Sequence, residues 1–190
     1  MALALKNEIQ DAVMALQQGQ LIAYPTEAVY GLGCDPKQPE AIEHLIKLKK
    51  RNPEKGLILI ASKFEQLSPY LEDIDELLAS RAKQSWPGAV TWVWPLKKDI
   101  EISPLLTGRF QSIAVRVTNH PTAAALCDAF QGAIVSTSAN LEGCEPAINA
   151  DQVKQFFPET GQIAKILIGD VGTLSKPTPI YNVITQEEIR

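Results

Sequence analysis

The chain has 190 residues, 45% of them hydrophobic and 21% charged, with a formal net charge of −4 at pH 7. These proportions are ordinary for a globular protein with one sizeable core. The acidic balance argues against a generally basic nucleic-acid binder, while leaving room for a local basic groove.

From the N-terminus, Glu8 to Gln18 carries Ile9, Ala12, Val13 and Leu16 at helical spacing, and Gly19 supplies the stop. Leu21 to Tyr24 reads as a short buried strand closed by Pro25. Ala28 to Cys34 is extended, with Gly31 and Gly33 inside it. Pro39 to Lys50 is a second helix, and Leu57 to Ala61 a buried strand. Asp75 opens a helix running towards Ser85, which Trp86-Pro87-Gly88 terminates. Strands follow at Thr91 to Trp94 and Ser112 to Val117, with no helix expected between them. Pro121 to Phe130 is a helix with proline in its first turn. Ala133 to Ser136, Ile166 to Ile168 and Tyr181 to Ile184 complete the strands. Interspersed but not strictly alternating elements predict an α/β (α+β) domain around one mixed, twisted sheet. Residues 1–190 are expected to form that one domain.

Cys34, Cys127 and Cys144 form an odd set without a CxxC pair, and His44 and His120 have no partner at metal-ligand spacing. Neither a disulfide framework nor a zinc site is expected, and a reducing cytoplasm fits. Lys6, Asn7 and Glu8 leave no secretory signal pattern, and no apolar run approaches the ~18 residues of a membrane span.

The run Lys49-Lys50-Arg51-Asn52-Pro53-Glu54-Lys55 concentrates four of the 18 cations between a helix and a strand. Lys49, Arg51 and Lys55 could grip a triphosphate, arginine bidentately and lysine as a point charge. Equally, cations gather at helix C-termini because they complement the macrodipole. Exposed cations of this kind would contribute little to stability. Thr26 offers a hydroxyl beyond a strand end, or simply caps a turn. Arg116, embedded between Val115 and Val117, must face solvent or pair with something. A structural salt bridge and a carboxylate-binding cleft floor both satisfy that requirement. Ser136-Thr137-Ser138 with Asn140 could form a hydroxyl and amide cradle, or ordinary capping material. Glu27 and Asp35 are candidate acids without an evident partner. Trp86, Trp92 and Trp94 read as core and turn. No nucleophile constellation is present, so the inventory suits catalysis by positioning and electrostatics.

Taken together, these clusters resemble the YrdC/TsaC family, the short-form threonylcarbamoyl-AMP synthases. The resemblance rests on six segments in order: Tyr24 to Asp35; Lys49-Lys50-Arg51 with Lys55 to Leu59; Trp86 to Thr91; Leu106 to Arg109; Ala114 to Val117; and Ser136 to Asn140. It departs at Asn52, where the family often has proline, and at Leu59, where long-form relatives carry a histidine. Pro177-Thr178-Pro179-Ile180 is only loosely similar to the family's PS-[TE]-[IV] segment.

The resemblance implies a twisted open sheet over a large concave cleft. It also implies a nucleotidyltransferase that converts L-threonine, bicarbonate and ATP into L-threonylcarbamoyladenylate and pyrophosphate. That product would serve partner proteins that modify adenosine 37 of tRNAs reading ANN codons. Lys49, Arg51, Ser138 and Asn140 match the family's nucleotide signature, with Lys55 and Ser112 as further ATP contacts. Lys49 and Arg51 are also the expected catalytic cations. Thr26, Arg116 and Ser136 match its threonine positions. Mg²⁺ is expected through the ATP phosphates, without protein ligands. The alternative the family offers is an RNA-binding, ribosome-maturation module, with weak contact to tRNA or double-stranded RNA.

Overall fold

The computed structural model describes residues 2–141, 143–159, 161–174 and 178–190. Helix α1 (Ala2–Gln17) precedes a hairpin of β1 (Ile22–Pro25) and β2 (Tyr30–Cys34). Then come α2 (Pro39–Lys49), β3 (Ile58–Ala61), α3 (Glu76–Gln84), β4 (Thr91–Pro95) and a single-turn α4 (Pro104–Thr107). The chain continues through β5 (Ser112–Val117), α5 (Pro121–Phe130), β6 (Ile134–Ser138), α6 (Ala150–Phe156), β7 (Lys165–Ile166) and β8 (Ile180–Asn182). The strands form one eight-stranded mixed sheet in the order β7-β1-β2-β6-β3-β5-β4-β8. The expected α/β architecture with an open mixed sheet is therefore present.

Alternation along the strands divides the core into two layers. Ile22, Tyr24, Ile60 and Ile134 face α1 and α5, meeting Val13, Leu16, Leu126 and Cys127. Ala23, Leu59, Ala61 and Val135 face the other way, towards Ile42 and Leu45 of α2 and Val153 of α6. Each fully buried leucine in these layers contributes about 1.5–3 kcal/mol relative to exposure. The tryptophans are structural as expected. Trp92 and Trp94 are buried, and their indole N–H groups donate to Ser85 Oγ and the Glu72 carbonyl, both at 2.9 Å.

Three differences from the sequence expectation have clear physical causes. Helix α1 starts six residues before Glu8, because Ala2 to Lys6 are good helix formers. Leu3 and Leu5 there are exposed and add nothing to an apolar stripe. Helix α4 was unexpected between β4 and β5; Ser103 caps it and proline opens it. Helix α6 was also unexpected, although Asn149 caps it by accepting from Gln152 N–H at 2.9 Å.

Burial separates the three cysteines chemically. Cys34 and Cys127 are fully buried, and burial pushes both thiols well above the ordinary range. Cys144 is exposed. Iodoacetamide at pH 8 should therefore label Cys144 alone in the folded protein, with all three reacting after denaturation. Mass spectrometry showing Cys34 or Cys127 modified at the rate of Cys144 under native conditions would contradict this packing.

Candidate active site

The sheet register places the two polar clusters side by side. Strand β2 pairs antiparallel with β6, setting Gly31 opposite Ser138 and Gly33 opposite Ser136. On the other side of β6, Ile58 of β3 stands opposite Ser136, and Ile60 opposite Arg116 of β5. The β1–β2 turn is closed by Thr26, whose backbone N–H and hydroxyl both donate to the Val29 carbonyl, at 3.0 and 2.7 Å. Thr26 is thus a turn residue that also lines a cavity.

Two cavities meet here. The smaller, about 160 Å³, is lined by Thr26, Gly31, Arg116, Ser136, Ser138 and Thr178, among others. The larger, about 550 Å³, is lined by Arg51, Lys55, Arg109, Phe110 and Ser112, among others. Arg51, Leu57, Ile58 and Arg190 belong to both walls. The second volume suits a cofactor-sized ligand; the first suits only a small molecule.

Two glycines fix the cationic rim. Gly56 follows a 3-10 turn at Pro53–Lys55 with φ 60°, and Gly108 follows α4 with φ 62°. A Cβ on Gly56 would come within 2.9 Å of the Leu106 carbonyl oxygen, and one on Gly108 within 2.2 Å of the Glu54 carbonyl oxygen. Only glycine permits this approach, which lets Arg109 N–H bond Glu54 O at 3.2 Å and Leu57 N–H bond Leu106 O at 2.9 Å. The Leu106-Thr107-Gly108-Arg109 segment thereby clamps the loop that carries Lys55.

Lys49 is not the surface cation expected. Its relative exposure is 3%. Its ammonium donates to the Ser138 carbonyl, to Asn140 O at 2.6 Å and to Asn140 Oδ1 at 3.1 Å. The last turn of α2 points it inward, and the loop after β6 folds over it. Asn140 Oδ1 also accepts from Ser138 Oγ at 2.6 Å, and Asn140 Nδ2 donates to Cys144 O at 2.6 Å. Lys49 and Asn140 line neither of the two cavities; they brace the loop that presents Ser138. Arg51 does face both, while its guanidinium donates to Gly56 O through Nε at 3.2 Å and Nη2 at 2.8 Å.

Arg116 is 5% exposed and lines the smaller cavity. Its Nη2 lies 3.3 Å from Glu27 Oε2, and its Nη1 donates to Thr178 Oγ1 at 2.9 Å. Arg116 thus forms the structural salt bridge and also stands in a cavity wall. Thr178 and Arg190 were not anticipated as site residues. Arg190 Nη2 donates to Thr178 O at 3.1 Å. Partial burial, and next the charge of Arg116, lower the affinity of its guanidinium for its proton. Thr178 falls in the segment noted only for a loose likeness to the family, and no local pattern distinguished Arg190; the path of the chain through β8 brings both to the cleft. Pro177, in the segment expected to resemble the family, lies outside the described residues. Among the described residues, no three His, Cys, Asp or Glu side chains converge as a metal site, and no helix is long and apolar enough to cross a membrane.

The Sua5/YciO/YrdC family model, described as "Telomere recombination", matches residues 14–190. A threonylcarbamoyl-AMP synthase of Photobacterium profundum is 47% identical over 186 residues, covering 97% of this chain and 98% of the relative. One from Serratia proteamaculans is 51% identical over 178 residues, covering 93% and 92% respectively. P. abyssi Sua5, solved in complex with L-threonine, superposes with a TM-score of 0.83 at 30% identity. The match covers 92% of this chain but only 50% of Sua5, so the chain spans about half of that protein. E. coli YciO superposes with a TM-score of 0.79 at 26% identity, covering 97% of this chain and 90% of YciO.

Proposed function

The chain belongs to the Sua5/YciO/YrdC family, and on that premise we propose that it makes L-threonylcarbamoyladenylate and pyrophosphate from L-threonine, bicarbonate and ATP. The observation carrying this reading is the junction of a small cavity holding Arg116 with a larger, cation-lined one, through shared Arg51 and Arg190. Threonine would occupy the small cavity. Arg116 meets its carboxylate, with Thr26 and Ser136 near its amino and hydroxyl groups. ATP would occupy the large one, with Arg51, Lys55 and Ser112 along its phosphates and ribose, and would reach Ser138 where the two cavities join. Lys49 and Asn140 hold the loop that places Ser138. Mg²⁺ would enter with ATP as part of the substrate, as is usual for this hard cation.

The chemistry follows from the juxtaposition. The threonine amine condenses with bicarbonate, losing water, to give a carbamate. A carbamate oxygen attacks the α-phosphorus, and pyrophosphate leaves with the electrons of the broken P–O bond. Negative charge builds on phosphate oxygens, where fixed cations are most effective. The product would pass to proteins that modify adenosine 37 of tRNAs reading ANN codons, in the cytoplasm.

The decisive assay supplies purified protein with Mg–ATP, bicarbonate and labelled threonine. A labelled adenylate and threonine-dependent pyrophosphate release are expected. tRNA binding should be weak and lost near physiological salt, since counterion release would drive it. It should also compete with ATP for the cationic rim. Tight tRNA binding at physiological salt, with no threonine-dependent pyrophosphate, would favour the RNA-binding alternative.

A further inference from the structure

Behind the wall of the small cavity runs a chain of buried polar groups. Glu27 is 5% exposed and is not among the residues lining the cavity. One of its carboxylate oxygens faces Arg116 Nη2 at 3.3 Å, and the other accepts from Thr118 Oγ1 at 2.6 Å. Thr118 Oγ1 in turn accepts from His120 N–H at 3.1 Å, and His120 Nε2 lies 3.0 Å from Asp170 O. The backbone of Glu27 is pinned as well. Its carbonyl accepts from Leu174 N–H at 3.3 Å, and a Cβ on Gly172 would meet that same oxygen at 2.4 Å.

We propose that Glu27 is a positioning residue for the amino-acid end of the site, acting on substrate only through Arg116. The proposal rests on the assignment of threonine to the small cavity. A guanidinium recognises a carboxylate through a planar fork, so its orientation matters as much as its charge. Arg116 sits on a strand between Val115 and Val117 and has several rotatable bonds. Thr178 holds one end of the fork by a hydrogen bond, and Glu27 faces the other at ion-pair distance, its Oε2 accepting no hydrogen bond among the described residues. Held by a hydrogen bond at one end and by charge at the other, the guanidinium is biased to one orientation before substrate arrives, and less ordering is needed on binding. Glu27 can serve this purpose because the 172–174 segment pins its backbone and the Thr118 hydroxyl holds its carboxylate.

The test is steady-state pyrophosphate release, with threonine and ATP varied in turn, for the parent, Glu27→Gln, Glu27→Asp and Thr118→Val. Glu27→Gln keeps the shape but loses the charge. Thr118→Val keeps the ion pair but frees the carboxylate to rotate. Threonine KM should rise about tenfold in Glu27→Gln and about threefold in Thr118→Val, with ATP KM within about twofold in both. Glu27→Asp should fall between the parent and Glu27→Gln. Parent-like threonine KM in the folded variants overturns the proposal. So does a parallel rise in both KM values, which marks general loosening. A fall in threonine KM, the result if Glu27 merely competes with substrate for Arg116, also overturns it. If Glu27→Gln does not fold, Thr118→Val decides the matter alone. A parent protein lacking threonine-dependent pyrophosphate release would instead overturn the functional reading, and this proposal with it.

Discussion

Lys49→Ala should lower turnover by about 100-fold, because releasing the loop that presents Ser138 misplaces a group of the site, and should also destabilise the fold. The second effect follows from burial. The ammonium bonds the carbonyls of Ser138 and Asn140 and the Asn140 amide oxygen. Removing it strands those acceptors beneath a closed loop, at a cost of about 1–3 kcal/mol. For a chain of this size each kcal/mol moves Tm by roughly 2–4 °C, so a drop of several degrees should appear in a melt. Arg51→Ala provides the contrast. Arg51 is only half-buried and lines both cavities. Its loss should reduce turnover comparably while moving Tm less. Parent-like melting and turnover in Lys49→Ala would show that the clasp seen here is neither structural nor functional. Equal Tm losses in the two variants would mean that Arg51 also acts mainly as a brace.

The contrast explains why the basic run was only partly legible. Its position at a helix C-terminus and its charge density could be read from neighbouring residues. Whether each cation faced water could not, because that depends on Ser138 and Asn140 closing over Lys49 from a distant strand. Ile58–Ala61 was readable because its run is apolar throughout, and Ser112–Val117 because Ile113, Val115 and Val117 alternate as a buried apolar face. Their order was not. Strand β6 lies between β2 and β3, a choice made by packing between remote segments. The same holds for Glu27. It was visible as an acid near a turn, but its partner Arg116 becomes a neighbour only once β1, β2, β6, β3 and β5 are laid side by side. Thr178 and Arg190 reach the cleft for the same kind of reason.

Arg116→Leu should abolish threonine binding and also weaken the fold, so this single variant cannot separate a recognition role from a structural one. The substitution leaves Glu27 as a buried carboxylate without its cation, which costs about 3–5 kcal/mol. Tm should fall by roughly 6–20 °C on the scale for a domain of this size. Pairing the change with Glu27→Leu resolves the ambiguity. Replacing both members of a buried ion pair with apolar residues of similar volume is often neutral or stabilising, so the double variant should recover much of the lost Tm. Calorimetry on that double variant then isolates recognition. ATP should bind close to the parent affinity, because neither residue lines the larger cavity. Threonine should remain unbound, because the guanidinium that would meet its carboxylate is gone. Threonine bound at parent affinity by a stable double variant would reduce the Glu27–Arg116 pair to a structural element and leave the small cavity without its proposed ligand.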